Sequence, residues 1–427
     1  MKVYDMFKNM NEIETFMKSR NKLGIQPGLD RMHTLLRRIG HPEKKLNAIH
    51  VAGTNGKGST IHYLNHALMN NGFRVGVFTS PSMSDLRGHI LLDDKSISEK
   101  DFIDILNMLF PHITLMDNDD MGPSTFEIIT VAAFTYFSMR ADISLIETGM
   151  GGKDDATNVL TPLISVITTI AMDHQAFLGD TIQDIAEHKA GIIKNHVPII
   201  VGQLDNESRQ VVEKVAKLKE APLYRLQKEF FYKDDVWCYQ SDHIPMTISM
   251  KGPHQDNNAA TALMVLYLFQ KQHPNLNFSR AVKGIENTSI PGRYEQILSQ
   301  PSIIIDGSHN PQGMAAFLKT MRENNRHRRS HLIFAGFKDK ALATMLKMAE
   351  PFFETITVTT FDHERAMAVK DLGRLCHHPN VRLETDWKRL MNDLLTQETT
   401  DTDEGYFIVG SFHFISLVRQ FIKGLEM

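Results

Sequence analysis

Short apolar runs alternating with longer stretches of helical spacing dominate the first half of the chain. IHVA (49–52), RVGVFT (74–79), ISLIE (143–147), LISVITTI (163–170) and VPIIVG (197–202) are runs of the kind found in parallel strands buried on both faces. Between the first two, Ile61, Leu64, Ala67 and Leu68 recur at helical spacing from Ser59 to Asn71, and Gly72 supplies a stop. Ser98 with Asp101 opens DFIDILNMLF, and Ser124 with Glu127 opens EIITVAAFTYF, both in the manner of a capping box. Strands alternating with helices imply a doubly wound α/β sheet, whose ligands bind beyond the carboxyl ends of the strands.

From about Glu220 to Met250 the pattern shortens and turns polar with isolated aromatics, which predicts small antiparallel strands closing the first domain. A helix from Asn258 to Gln270 follows. Beyond Pro291-Gly292-Arg293 the alternation restarts with SIIID (302–306), a helix after Pro311, HLIFAG (331–336), ETITVTT (354–360) and GYFIVG (405–410). The expected architecture is a P-loop, doubly wound ATP-binding domain over 1–295 and a smaller Rossmann-like α/β domain over 296–427. TQETTDTDEG (396–405) is biased enough to predict a mobile acidic loop, and no internal repeat is evident.

Composition narrows the class without deciding it. A chain of 427 residues exceeds one typical core, and 42% hydrophobic with 23% charged residues is ordinary for a globular enzyme. Net charge of −3 leaves no footprint for nucleic acid or an anionic membrane, so any phosphate binding must be local. Two cysteines, Cys238 and Cys376, exclude a disulfide framework and suit a reducing cytosol. Cys376-His377-His378 reads as a helix end rather than a zinc site, since adjacent residues cannot all reach one tetrahedral ion. MKVYDMFKNMNEIETF lacks the apolar region of a signal peptide, and no stretch reaches a membrane span. A cytoplasmic protein is expected.

The chemistry concentrates where the apolar runs end. In IHVAGTNGKGST the glycines let the backbone turn its N–H groups toward an anion, the helix adds its positive end, and Lys57 can reach β/γ-phosphates. Thr54, Asn55, Gly56, Lys57, Gly58, Ser59 and Thr60 are therefore the nucleotide-binding candidates. The spacing departs from the common G-x-x-x-x-G-K-[ST] pattern, with Val51 at the first glycine position and Gly58 after the lysine. Ser80, Glu147 and His174 each follow an apolar run, and Lys189 lies on the next helix. A carboxylate, an imidazole and phosphate oxygens make a plausible Mg²⁺ site. Taken singly, His174 reads as hydrogen-bonded structure and Lys189 as a solvated charge; their convergence on one phosphate loop points to function.

HVAGTNGKGST, FTSP (78–81), TFE (125–127), ETGMGGKDDATNV, DHQAFLGDTIQDIAEHKAGIIK, GPHQDNNAA (252–260), PGRYE (291–295), DGSHNPQG (306–313) and GS (410–411) occur in one order along the chain. In that order they resemble the folylpolyglutamate synthase/dihydrofolate synthase family of the Mur ligase superfamily. The resemblance implies ATP-dependent amide formation between dihydropteroate or a reduced folate and L-glutamate, through an acyl phosphate. It implies that Lys57 and the loop hold the β/γ-phosphates, and that Ser80 and Glu147 bind one Mg²⁺. Glu147, His174 and Lys189 would bind a second, Lys189 only as a carbamate, because an ammonium has no lone pair. Asn258, Arg293 and Asp306 match positions at the nucleotide, His309 one near nucleotide and incoming glutamate, and Ser411 one near the glutamate. The family's usual state is a monomer.

SPSMSDLRGHILLDD (80–94) departs from the family pattern, with Gly88 and His89 in place of an acid and an arginine; Ile290 and His413 are smaller departures. These bear on acceptor identity rather than on ATP chemistry. A Mur-type ligase for another carboxylate is the second reading, and a nucleotide-binding regulator without ligase activity the third. Glu147, His174, Lys189, Arg293, Asp306 and His309 together exceed what a mere binder needs.

Overall fold

The computed structural model describes residues 7–24, 27–82, 85–324, 329–396 and 403–425. Most of the acidic stretch 396–405, and two residues of the divergent 80–94 segment, lie outside them. The chain forms two compact units, one of 1–249 with 255–288 and the other of 250–254 with 289–427.

The first unit is built on an eight-stranded sheet. Its strands are β1 (Ala48–Ala52), β2 (Val75–Phe78), β3 (Ile90–Leu92), β4 (Lys95–Ser96), β5 (Ile143–Glu147), β6 (Ile164–Ile167), β7 (Ile199–Val201) and β8 (Leu223–Arg225), in the order 4-3-2-5-1-6-7-8. From β2 to β8 all neighbours are parallel, and β1, β2, β5, β6 and β7 are buried along their whole length, as unbroken apolar runs require. β1 lies between β5 and β6, so the chain leaves it at the place where strand order changes direction, the usual ligand site of such sheets.

Helices cover both faces. Thr125–Arg140 starts at the Ser124/Glu127 capping box and is buried over most of its length, including Glu127, which pairs with Arg31 at 3.1 Å. At Ser98 the hydroxyl accepts from Asp101 N and opens a longer helix, Glu99–Asn118.

Two features differ from the pattern-based expectation. Leu223–Arg225 is not antiparallel: it joins the main sheet parallel to β7, because the helix Asn206–Leu218 makes a right-sized crossover. Only β9 (Phe230–Lys233), β10 (Val236–Tyr239) and β11 (Asp242–Pro245) form the small antiparallel sheet, anchored where buried Trp237 donates Nε1–H to Ala260 O at 3.1 Å. The hairpin β3–β4, turning through Asp93 and Asp94 at φ 51° and 62°, was hidden in LLDDKS.

The second unit has a six-stranded sheet in the order β12-β13-β17-β14-β15-β16. Its strands are β12 (Glu295–Ser299), β13 (Ser302–Asp306), β14 (Arg329–Phe334), β15 (Thr355–Val358), β16 (Val381–Leu383) and β17 (Glu404–Val409). All pairs are parallel except the β12–β13 hairpin at one edge. Helices Pro311–Asn324, Leu342–Ala349 and Phe412–Leu425 pack its faces around Phe317, Phe334, Phe407 and Phe414. Among the described residues no helix is long and apolar enough to cross a membrane.

Candidate active site

The loop after β1 is strapped to the end of β6. Thr54 N donates to Thr169 O at 2.7 Å, Thr54 Oγ1 to Ala171 O at 3.1 Å, and Thr168 Oγ1 to Asn55 O at 2.6 Å. Gly53 sits at φ 156°, where a Cβ would fall 1.9 Å from Thr168 Oγ1. Gly56, at φ 87°, caps the helix Lys57–Met69, and a Cβ there would meet Asn258 Oδ1 at 2.5 Å. Both glycines are thus required by close approach as well as by backbone angle. Gly58 follows in the first helical turn; Ser59 and Thr60 are buried there, Thr60 Oγ1 with no hydrogen-bond partner among the described residues.

Strand ends bring the other groups to this loop. Glu147, last residue of β5, is buried; its Oε2 accepts from Thr79 Oγ1 at 2.6 Å and from Ser80 N at 3.3 Å. Its Oε1 lies 3.9 Å from Lys57 Nζ, which also donates to Gly53 O at 3.0 Å. After Glu147, the glycine turn carries Lys153, whose N–H donates to His188 O at 2.7 Å and docks the helix Ile182–Ala190. That docking buries Lys189. Burial, reinforced by the charge of Lys57 and opposed by Asp173 and Asp155, lowers its amine from 10.5 to about 7. His174 follows Asp173 in a left-handed conformation at φ 51°, with Nε2 3.7 Å from Asp173 Oδ2.

Arg293, Asp306, His309 and Ser411 belong to the second unit. Asp306, at the end of β13, accepts from Tyr294 N and Ser308 N, both at 2.9 Å, and from Ser308 Oγ. Arg293 lies over the Phe412 ring at 5.2 Å. His309 Nδ1 donates to Gly307 O at 3.0 Å, and Ser411 Oγ is buried with no hydrogen-bond partner among the described residues. His254 feels both Asp306 and Arg293, its Nδ1 is buried with no hydrogen-bond partner among the described residues, and burial holds its imidazole below the ordinary range.

The family model described as Mur ligase middle domain matches residues 51–266, and that described as Mur ligase, glutamate ligase domain matches 292–412. The dihydrofolate synthase/folylpolyglutamate synthase of Bacillus subtilis is 34% identical, covering 98% of this chain and 100% of the relative. The chain belongs to the folylpolyglutamate synthase/dihydrofolate synthase family of Mur ligases. Two solved members agree in fold. The folylpolyglutamate synthase of Thermotoga maritima is 30% identical with TM-score 0.83, covering 97% of this chain and 96% of that one. That of Mycobacterium tuberculosis, complexed with ADP and AMPPCP, is 27% identical with TM-score 0.86, covering 96% and 98%.

Membership makes this chain an ATP-dependent carbon–nitrogen ligase. Thr79 was quoted within FTSP without a role, yet it holds Glu147 in place. Asp155 and Asp173, the carboxylates that act on Lys189, and the Thr168/Thr169 strap were likewise unassigned. Asp155 is buried and accepts from Met150 N at 2.8 Å and Thr157 N at 3.0 Å, and burial pushes its carboxyl up. His254 lay within GPHQ, its position next to Asp306 invisible before folding.

Proposed function

We propose that this ligase joins L-glutamate to dihydropteroate, to a reduced folate, or to both. The observation that carries the proposal is the convergence of Lys57, the Thr79-braced Glu147 and buried Lys189 on the phosphate loop, in a chain that aligns end to end with a dihydrofolate synthase/folylpolyglutamate synthase. In this reading the acceptor carboxylate attacks the γ-phosphorus of ATP and ADP leaves. The amine of L-glutamate then adds to the acyl phosphate carbonyl, loses its proton, and phosphate departs as the amide forms. Activation this way supplies a leaving group that a carboxylate lacks.

Lys57 and the loop N–H groups hold the β/γ-phosphates, with Asn258 a further nucleotide contact, while Thr54 and Asn55 keep the loop's shape. Ser80 and Glu147 would hold one Mg²⁺, and Glu147, His174 and Lys189 a second. The donor set fits: a braced carboxylate stands ready, and an amine near 7 is substantially neutral at working pH and open to carbamylation by CO₂, which turns a cation into an oxygen ligand. Bound there, divalent ions would neutralise charge on the transferring phosphoryl group. The second unit, 250–254 with 289–427, is the glutamate-binding domain; by family resemblance Arg293 and Asp306 serve the nucleotide, and His309 and Ser411 the incoming amino acid. The enzyme acts as a cytoplasmic monomer.

The test is phosphate release from ATP with Mg²⁺ and L-glutamate, comparing 7,8-dihydropteroate, tetrahydrofolate and no acceptor, with products weighed. A single glutamyl increment on either pterin is expected, and Glu147→Gln should abolish it with the fold intact. Absence of any pterin-dependent turnover in a protein that still binds ATP would shift the assignment to another carboxylate acceptor.

A further inference from the structure

The helix that begins at Lys57 carries a second set of ligating side chains further along. His62 and His66 are four residues apart, so both rings leave one face, with centroids 6.1 Å apart. Asp94, in the tight turn between β3 and β4, faces them. Its Oδ2 is 3.3 Å from His66 Nε2, and its Oδ1 accepts from Asn65 Nδ2 at 2.6 Å. One ligand atom from each of His62, His66 and Asp94 lies within 4.8 Å of the others.

The far side of His66 fixes how its ring is protonated. Thr288 Oγ1 donates its single proton to Gly284 O at 2.8 Å, so toward His66 Nδ1, 3.1 Å away, it can only accept. Nδ1 therefore carries hydrogen, and Nε2 aims at the Asp94 carboxylate. In neutral imidazole that would set a lone pair against an anionic oxygen, so the pair calls for a cation between them, either a proton or a metal. A hydroxyl that orients a histidine from behind is the usual support of a metal ligand.

We propose that His62, His66 and Asp94 form a binding site for a zinc-class divalent transition metal, separate from the nucleotide site. Two imidazoles and a carboxylate are a zinc-type set, poorly suited to Mg²⁺ or Ca²⁺. A tetrahedral ion with bonds of about 2.0–2.1 Å has ligands roughly 3.3 Å apart, which is the His66–Asp94 separation of 3.3 Å. His62 supplies the third corner, its ligand atom within 4.8 Å of the other two. Asp94 is held by its turn at φ 62° and by Asn65, so little is left to organise on that side. The two histidines stand five and nine residues beyond Lys57, roughly 7–14 Å along the helix axis. The metal thus staples the β3–β4 hairpin to the phosphate-loop helix without touching phosphate.

The experiment is titration of untagged, full-length protein with Co²⁺ in excess Mg²⁺, read by visible absorption. One equivalent giving the intense band of a four-coordinate ion, displaced by Zn²⁺, is expected. The band should vanish in His62→Ala, His66→Ala and Asp94→Asn and persist in His174→Ala, with far-UV circular dichroism unchanged throughout. Thr288→Val should weaken binding by about tenfold or more, as loss of an orienting partner does. A wild-type protein without the band, or a band that survives in the His62→Ala/His66→Ala double variant, would overturn the proposal and leave a protonated His66–Asp94 ion pair. Because the readout is metal binding, failure of the ligase assignment would not affect it.

Discussion

Replacing Lys189 with methionine should remove a pH dependence from the stability of the first unit. Lys189 is 4% exposed, and its amine falls from 10.5 to about 7 on folding, chiefly by desolvation and next by the charge of Lys57. Protonating it therefore costs stability. That cost is fully present below pH 7, shrinks as pH rises between about 7 and 10.5, and is gone above, because only the unfolded chain holds the proton in that window. With those two values, wild type should gain about 1 kcal/mol on the Lys189→Met variant between roughly pH 7.5 and roughly pH 8.5. Urea unfolding in CO₂-free buffer measures it, using Trp237 fluorescence in a Trp387→Phe background, since Trp237 is buried in the first unit. A difference between wild type and variant that stays flat across this range would refute the argument that burial neutralises Lys189. With ¹³C-bicarbonate, a carbamate resonance should appear in wild type and be absent from the variant.

Two further outcomes follow from the bracing of the site. Thr79→Val keeps the shape but deletes the 2.6 Å bond to Glu147 Oε2; kcat should fall about tenfold, as loss of support behind a ligand does, while equilibrium dialysis shows ATP affinity nearly unchanged. An unaltered kcat would mean that Glu147 needs no such support. Gly53→Ala places a Cβ 1.9 Å from Thr168 Oγ1 at φ 156°, so stability in urea should drop by about 2–3 kcal/mol, with partial recovery on adding Thr168→Ala. No recovery in the double variant would assign the loss to backbone angle alone.

The sequence by itself determined the alternating plan of both units, because parallel strands buried on both faces have to be unbroken apolar runs and the helices between them carry their own start signals. It also determined the phosphate loop and the candidates Glu147 and His174, since glycines and charged residues at the ends of such runs fall at strand ends, and offered Lys189 on the helix that follows. Short or half-buried strands escaped it: β3, β4, β8, β12 and β16 leave almost no periodicity over two to five residues. Tertiary structure alone decided which hydroxyl holds Glu147 and which charges surround Lys189, for these depend on β2 lying beside β5 and on a helix docking against the turn after it. Nor could chain order reveal that Asp94 faces His66 and Thr288 stands behind it. Contacts between residues so far apart in the chain exist only once the sheet has set its strand order, and a group's charge state follows from those contacts rather than from its neighbours in sequence.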